Sequence, residues 1–133
     1  MKRKQRGVTL MELMTVVGII SILAAVAYPS YRQQVRRSNR TEARVALEQT
    51  AGALEKCYTR YMRYDDDANC PLADTLLGGS FSTPKGFYLI TAPDLEATEF
   101  TVRAEAQGRQ TSDTGCTRLE LDQTGRRTPA ACW

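Results

Sequence analysis

The chain has 133 residues, of which 18 are Lys or Arg, 15 are Asp or Glu and none is His. This length allows one domain of ordinary size. Without histidine, the commonest general base and the histidine-dependent nucleophilic triads are missing. The sequence also shows no metal-ligand cluster and no phosphate-binding loop, so we expect neither an enzyme nor a cofactor.

The formal net charge of +3 results from basic side chains at the beginning of the chain. Four of the 18 basic side chains lie before residue 8: Lys2, Arg3, Lys4 and Arg6. Without them the chain keeps 14 basic against 15 acidic side chains, a balance of −1. Net charge therefore does not indicate a general attraction of the remainder to nucleic acid or anionic lipid.

An apolar segment, VTLMELMTVVGIISILAAVAY, runs from Val8 to Tyr28. Its 21 residues are close to the roughly 20 that a helix needs to cross a bilayer. The basic flank before it predicts a cytoplasmic N-terminal end, with the rest of the chain across the membrane. Four cysteines agree with an oxidising compartment there.

Glu12, the fifth residue of this segment, conflicts with a plain membrane anchor. A carboxylate at that depth is costly unless it lies near the interface or is paired. It is either a tolerated charge near the cytoplasmic face or a partner for a positive group from another chain. The alternative of a secretory signal cleaved before Tyr28 has the A-x-A pattern of Ala25-Val26-Ala27, but Glu12 interrupts the apolar region that such a signal needs.

The residues around Glu12 form a recognisable arrangement. Arg6-Gly7 is followed by VTLMEL, and the segments YPSY (28–31) and RSNRTEA (37–43) come later. This arrangement resembles the class III signal of type IV prepilins over about the first third of the chain. The resemblance implies cleavage between Gly7 and Val8 by a prepilin peptidase and methylation of Val8, a position where the family usually has phenylalanine.

The resemblance also implies roles for Glu12 and Pro29 in assembly. In the filament core, the mature amine of a neighbouring subunit can neutralise Glu12, and a buried carboxylate becomes tolerable when it is paired. Pro29 lacks an amide hydrogen and should bend the helix. We expect a cleaved leader over 1–7, a transmembrane and polymerisation helix over 8–29, and a periplasmic pilin head over 30–133 that includes the second half of the helix.

Residues 30–63 have the periodicity of an amphipathic helix with one face for a core. The residues of that face are Val35, Ala43, Ala46, Leu47, Thr50, Leu54, Tyr58 and Tyr61. Five arginines crowd the first half of this helix: Arg32, Arg36, Arg37, Arg40 and Arg44. They form either a solvated face or contacts with lipid headgroups or acidic faces of neighbouring subunits.

Residues 64–85 are predicted to be a loop, because they are rich in aspartate, glycine, serine and proline. Asp65, Asp67 and Asn69 share the spacing of an EF-hand loop. However, Cys70 stands at its glycine position and Leu76 at its closing glutamate position. A solvated acidic loop is therefore favoured over a calcium site.

Three strands are predicted over 86–92, 98–106 and 117–123, with a turn at Ala92-Pro93-Asp94 between the first two. The simplest assembly is an antiparallel meander of three or four strands against the helix. The expected fold class is therefore α+β, a long bent N-terminal helix packed on a small antiparallel sheet, which is also the type IV pilin fold that the resemblance implies.

Four cysteines allow three disulfide pairings. We favour Cys57–Cys70, which ties the helix end to the following loop, and Cys116–Cys132, which ties the last strand to the C-terminal tail. The second bridge resembles the C-terminal disulfide-bounded loop of type IV pilins. The evidence for a zinc site is weak, because the sequence has neither a C-x-x-C pair nor a histidine. Trp133 is either a cap on the core or an exposed contact residue.

The tail TGCTRLELDQTGRRTPAACW, together with the RSNRTEA segment, resembles PilE-type minor pilins. The leading hypothesis is therefore a non-enzymatic minor pilin. It is inserted in the inner membrane as a single span with a periplasmic head, and then assembled into an extracellular pilus. The implied partners are major and minor pilins, the prepilin peptidase, the inner-membrane assembly platform and membrane lipid, and the implied roles are twitching motility and adhesion. A type II secretion pseudopilin shares the same N-terminus.

A pilin-like DNA-uptake receptor is the other alternative. Phosphate contacts need basic side chains, and five are present in the second half of the chain: Lys85, Arg109, Arg118, Arg126 and Arg127. Few aromatic residues are interleaved with them for base stacking, and acidic residues are interspersed.

Overall fold

The computed structural model describes residues 7–133. The basic side chains of the predicted leader lie outside the described residues. Contacts between Cα atoms divide the chain into an N-terminal unit that ends at Val35 and a second unit, Arg36–Trp133, which we call the globular unit. Each unit is described by itself below.

A single long helix, α1, runs from Leu10 to Tyr61 and includes Pro29 without interruption. Thr9 precedes it as N-cap, and its Oγ1 accepts the amide N–H of Glu12 at 3.2 Å. The predicted long helix is therefore confirmed, while a bend at Pro29 stays a prediction.

Within the globular unit, one face of α1 is buried. Ala43, Leu47, Thr50 and Leu54 lie on it as the periodicity predicted, and Asn39 joins them. Val35 and Tyr61, at the two ends of the predicted face, are more than one third exposed. The apolar pattern of the sequence thus extends beyond the residues that the sheet covers.

The prediction that residues 64–85 form a loop is wrong for ten of these 22 residues. A short helix, α2, covers Pro71–Gly78, and a two-residue strand, β1, covers Phe81–Ser82. Proline is well suited to the first turn of a helix, where its missing N–H has no partner anyway. Ala73 and Leu76 of α2 are buried, so a few apolar contacts stabilise a helix too short for a periodicity signal.

The sheet is a five-stranded antiparallel meander in the order β1-β2-β3-β4-β5. The main strands are β2 (Tyr88–Leu95), β3 (Phe100–Ala106) and β4 (Arg118–Asp122), and β5 covers Arg127–Thr128. The predicted fold class is confirmed, with five strands instead of three or four because two-residue edge strands leave no sequence pattern. The turn predicted at 92–94 is wrong: these residues belong to β2, and the register shifts between Thr91 and Asp94. A bulge lets a strand accommodate proline.

The inward face of the sheet and the buried face of α1 form one apolar core. The strands contribute residues at alternate positions, namely Tyr88, Ile90, Phe100, Val102, Ala104, Leu119 and Leu121. Trp133 packs against this core and is partly buried, which agrees with its interpretation as a cap. The C-terminal disulfide Cys116–Cys132 is confirmed, and the structure also joins Cys57 to Cys70.

Candidate interaction surfaces

The N-terminal unit exposes an apolar helix along its whole described length. Every residue from 7 to 35 is exposed, including Gly7 and Val8 on either side of the predicted cleavage site. Among the described residues, one helix is long and apolar enough to cross a membrane, and none of its most apolar stretch is buried. Such a surface needs lipid or protein to cover it.

Glu12 has a local role that the sequence interpretation missed. Thr9 and Glu12 have the spacing of a capping box, in which the N-cap hydroxyl bonds the third helical amide. A carboxylate in the first turn also interacts favourably with the positive end of the helix dipole. The T-x-x-E spacing is the sequence signal for this role. Glu12 thus helps to begin α1 and remains exposed within an apolar surface.

Two of the five arginines in the first half of the predicted helix contact other residues of the globular unit, to which they themselves belong. Arg40 Nε lies 2.8 Å from Asp113 Oδ2, and Arg44 Nε donates to the carbonyl of Cys132 at 2.8 Å. For these two, both alternatives are wrong, because their guanidinium groups contact other residues of the chain and neither form a solvated face nor face lipid or a neighbouring subunit. Arg32 and Arg37 are exposed.

A buried polar network lies beside Arg40. Gln110, which is 1% exposed, accepts from Asn39 Nδ2 at 3.0 Å and donates to both the Tyr88 hydroxyl and Asp113 Oδ2 at 3.0 Å. Burial raises the pKa of Tyr88, which therefore remains a neutral hydroxyl. Its O–H also donates to the carbonyl of Cys116 at 3.4 Å. Asn39, Gln110 and Tyr88 thus each have a hydrogen-bond partner, as a stable interior requires.

Three side chains of α1, spaced four residues apart, hold the C-terminal loop, which we define as residues 113–133. Arg40 contacts Asp113 and donates to Cys116 Sγ at 3.3 Å. Arg44 binds the Cys132 carbonyl, and Glu48 accepts from Arg127 at 2.9 Å. Residues four apart share one face of a helix, so this stripe (Arg40, Arg44 and Glu48) runs along the loop.

The five basic side chains proposed to contact DNA do not form one patch. Three have acidic neighbours: Lys85 lies 3.6 Å from Glu42, Arg118 lies 3.6 Å from Glu105, and Arg127 lies 2.9 Å from Glu48. Arg127 also covers the ring of Trp133 at 5.1 Å. Arg109 and Arg126 are exposed and have no ion-pair partner within residues 7–133.

The fold separates these cations by their positions on the sheet. Arg118 begins β4, while Arg126 lies in the turn beyond its other end. Five strand residues span roughly 13–17 Å. Arg109 lies in a 3-10 helix, Gly108–Ser112, that follows β3. This helix is at the same end of the sheet as Arg118, which begins β4. The outward face of the sheet between Arg118 and Arg126 carries paired charges, such as Arg103 with Glu120 at 2.7 Å.

The turn that presents Arg126 is held by Asp122. Its Oδ1 accepts the Thr124 amide at 2.9 Å, the Thr124 hydroxyl at 2.6 Å and the Arg126 amide at 3.0 Å. Although partial burial opposes ionisation, the bonds from Thr124 and the Arg126 amide hold the pKa of Asp122 below its usual value. The exposed guanidinium of Arg126 therefore extends from a preorganised turn.

The acidic loop uses its carboxylates locally. Arg63 donates to both oxygens of Asp65, at 2.7 and 2.9 Å, and this bond lowers the pKa of Asp65. Asn69 donates its side-chain amide to Asp66 at 3.0 Å. These contacts support the solvated-loop interpretation, in which neighbouring donors and water satisfy the aspartates.

Comparisons with known proteins match both parts of the chain. A family model described as "Type IV minor pilin ComP, DNA uptake sequence receptor" matches residues 29–120, and one described as "Prokaryotic N-terminal methylation motif" matches residues 2–28. The first match includes Lys85, Arg109 and Arg118, whereas Arg126 and Arg127 lie beyond its end.

Several curated proteins are similar to this chain. The fimbrial protein EcpC of Eikenella corrodens is 39% identical over 89 residues, which are 67% of this chain and 54% of that protein. The type IV major fimbrial protein FimA of Dichelobacter nodosus is 39% identical over 82 residues, 62% of this chain and 51% of FimA. The type IV major pilin protein PilE1 of Neisseria gonorrhoeae is 36% identical over 67 residues, 50% of this chain and 41% of PilE1. The chain thus spans about half the length of these relatives, or less.

Proposed function

This chain belongs to the type IV pilin family, and we propose that it is a minor pilin, a structural subunit of a type IV pilus. In this proposal α1 first anchors the chain in the inner membrane, with the globular unit in the periplasm. A prepilin peptidase cleaves between Gly7 and Val8, Val8 is methylated, and an inner-membrane platform assembles the subunit with other pilins for twitching motility or adhesion.

The observation that carries this proposal is the fully exposed apolar surface of residues 8–28 with one carboxylate, Glu12, in its first turn. Lipid can cover the apolar side chains, but the carboxylate is favourable there only with a cationic partner. A packed bundle of pilin helices supplies both, because the mature N-terminal amine of a neighbouring pilin subunit can pair with Glu12. The fimbrial and pilus names of the relatives favour a pilus subunit over a secretion pseudopilin.

Replacing Glu12 with glutamine tests this mechanism. Glutamine leaves the bond from the Glu12 amide to Thr9 Oγ1 in place, so α1 should still begin normally and the chain should still insert. Loss of the charge should lower the amount of subunit in sheared pili by about tenfold or more, the effect of roughly 1.4 kcal/mol at the filament contact. Immunoblots of the sheared and membrane fractions give both quantities.

Glu99→Gln, which changes an exposed carboxylate of the globular unit, is the matched control and should assemble normally. Wild-type levels of E12Q in pili would contradict the paired-charge mechanism. Mass spectrometry of the N-terminal peptide of the wild-type mature protein should show a start at Val8 with one added methyl group, and a start at Tyr28 would contradict the whole proposal. The subunit should be a minority of the fibre mass, since dominance would make it a major pilin.

A second candidate function, DNA uptake, is supported by the description of the family model that matches residues 29–120. The side chains best placed for phosphate contacts are Arg109 and Arg126, which are exposed and have no acidic partner among residues 7–133, and Arg118, whose partner Glu105 is 3.6 Å away. Flexible, partly solvated pairs of this kind are weak, so a phosphate can displace the acid.

Salt titration of DNA binding tests this second function. The triple variant Arg109→Gln, Arg118→Gln, Arg126→Gln should weaken binding and reduce the slope of log K against log salt by about 0.9 for each phosphate group that the variant no longer binds. Arg63→Gln is the matched control, because Arg63 is an exposed arginine held by Asp65. Absence of binding at low salt, or equal slopes for the triple variant and the control, would rule out a DNA receptor that uses these residues.

A further inference from the structure

A small exposed cluster lies immediately after the predicted membrane span. Tyr31 and Arg32 follow Tyr28 by three and four residues, so both are neighbours of Tyr28 on the surface of α1. The two tyrosines are 64% and 69% exposed. The guanidinium of Arg32 lies 5.8 Å from the ring centroid of Tyr28, within cation–π range. We call these three residues the collar.

The length of the apolar segment places the collar at a membrane surface. From the start of α1 at Leu10, the 19 residues to Tyr28 extend about 28 Å as a helix, close to the roughly 30 Å thickness of the hydrocarbon core of a bilayer. Tyr28 therefore reaches the headgroup level when Val8 is at the opposite side. Tyrosine is enriched at that level because its ring is apolar and its hydroxyl is wet.

The counter-ion of Arg32 must come from outside this part of the chain. From residue 13 to residue 41 there is no acidic side chain, and the four basic ones are Arg32, Arg36, Arg37 and Arg40. Asp113 forms an ion pair with Arg40, whereas Arg32 has no ion-pair partner among residues 7–133. A guanidinium fits the phosphate group closely, and anionic phospholipid supplies phosphate at the depth where Arg32 lies.

We propose that the collar binds anionic phospholipid headgroups and thereby sets the depth of the subunit in the membrane before assembly. This inference rests on the membrane insertion proposed above. Tyr28 and Tyr31 lie between headgroups and acyl chains, and Arg32 holds a lipid phosphate. Extraction of the subunit into a filament breaks these contacts.

Lipid selectivity of the full chain, reconstituted in vesicles of phosphatidylcholine with about 30% phosphatidylglycerol, tests the collar. Spin-labelled phosphatidylglycerol and phosphatidylcholine report how strongly each lipid is immobilised by the protein. Arg32→Gln should lower the preference for phosphatidylglycerol by about two- to fivefold, as expected for one cation at an anionic surface. Arg32→Lys should retain most of it, and Arg60→Gln, which removes an exposed arginine of the globular unit, should not change it.

The outcomes are separable. Equal lipid selectivity of wild type, R32Q and R60Q would overturn the proposed lipid binding by the collar, even if the chain inserts in the membrane. Unchanged selectivity together with loss of R32Q from sheared pili would also overturn it and would assign Arg32 to a neighbouring subunit. A chain that alkaline carbonate extracts from the vesicles would overturn both the collar and the membrane insertion on which it rests.

Discussion

Replacing Asp113 with alanine should lower the free energy of unfolding by about 3 kcal/mol, a large effect for a single polar residue. The carboxylate of Asp113 is the only acidic partner of Arg40 among residues 7–133, and it also accepts from Gln110. The side chains of Arg40 and Asp113 are 16% and 10% exposed. Removing one partner would leave a nearly buried guanidinium without a counter-charge.

Guanidinium chloride unfolding of the full chain in detergent micelles, followed by near-ultraviolet circular dichroism, measures the effect. Asp113→Asn keeps an acceptor for Gln110 and should cost less than alanine. The double variant Arg40→Met, Asp113→Leu removes both charges and should recover most of the stability, because an apolar pair of similar volume often replaces a buried ion pair without penalty.

Asp65→Ala is the matched surface control. Arg63 and Asp65 form an ion pair with 2.7 Å between the nitrogen and the oxygen, but their side chains are 51% and 22% exposed. Exposed pairs contribute about 0–1 kcal/mol, so this variant should be nearly neutral. If D113A and D65A cost the same, the network around Arg40 would not be a stabilising element of the globular unit.

The sequence was sufficient for features that depend on local pattern. The apolar segment from Val8 to Tyr28 needed only composition and length, and the buried face around Ala43 and Leu47 needed only the helical period. The strands at the centre of the sheet alternate apolar and polar residues over several positions. The C-terminal disulfide followed from cysteine number together with the resemblance to pilins.

The remaining features depend on contacts between distant parts of the chain. Asn39 and Gln110 are 71 residues apart, and no spacing rule connects them. The DNA candidates were chosen for charge alone, yet Glu48 neutralises Arg127 across 79 residues. Nor does composition distinguish Arg40 and Arg44, which bind the C-terminal loop, from Arg32, which is exposed. Only the docking of α1 on the sheet decides which arginine is free.

Removing the C-terminal disulfide by Cys116→Ala, Cys132→Ala should cost about 4 kcal/mol of stability, more than its loop length alone predicts. The two disulfides of this chain close loops of similar length, with sequence separations of 16 and 13. The chain-entropy model gives about 3 kcal/mol for either loop. Any large difference between them must therefore come from contacts in the folded state.

Those contacts are concentrated at the C-terminal bridge. Arg40 donates to Cys116 Sγ, Arg44 to the Cys132 carbonyl, and Tyr88 to the Cys116 carbonyl. A C-terminal loop freed from its crosslink can move away from these donors, which would then be nearly buried without acceptors. No side chain makes comparable hydrogen bonds to Cys57 or Cys70 within residues 7–133, so Cys57→Ala, Cys70→Ala is the matched control at about 3 kcal/mol.

Guanidinium unfolding of both double variants measures the difference, and hydrogen exchange of amides 117–131 localises it. Exchange there should accelerate in C116A/C132A and stay slow in C57A/C70A. Equal decreases in stability, with equal exchange, would mean that the stripe of Arg40, Arg44 and Glu48 adds nothing to the crosslink. Because Arg118 and Arg126 lie between the bridged cysteines, the proposed DNA contacts should weaken in the first variant and persist in the second.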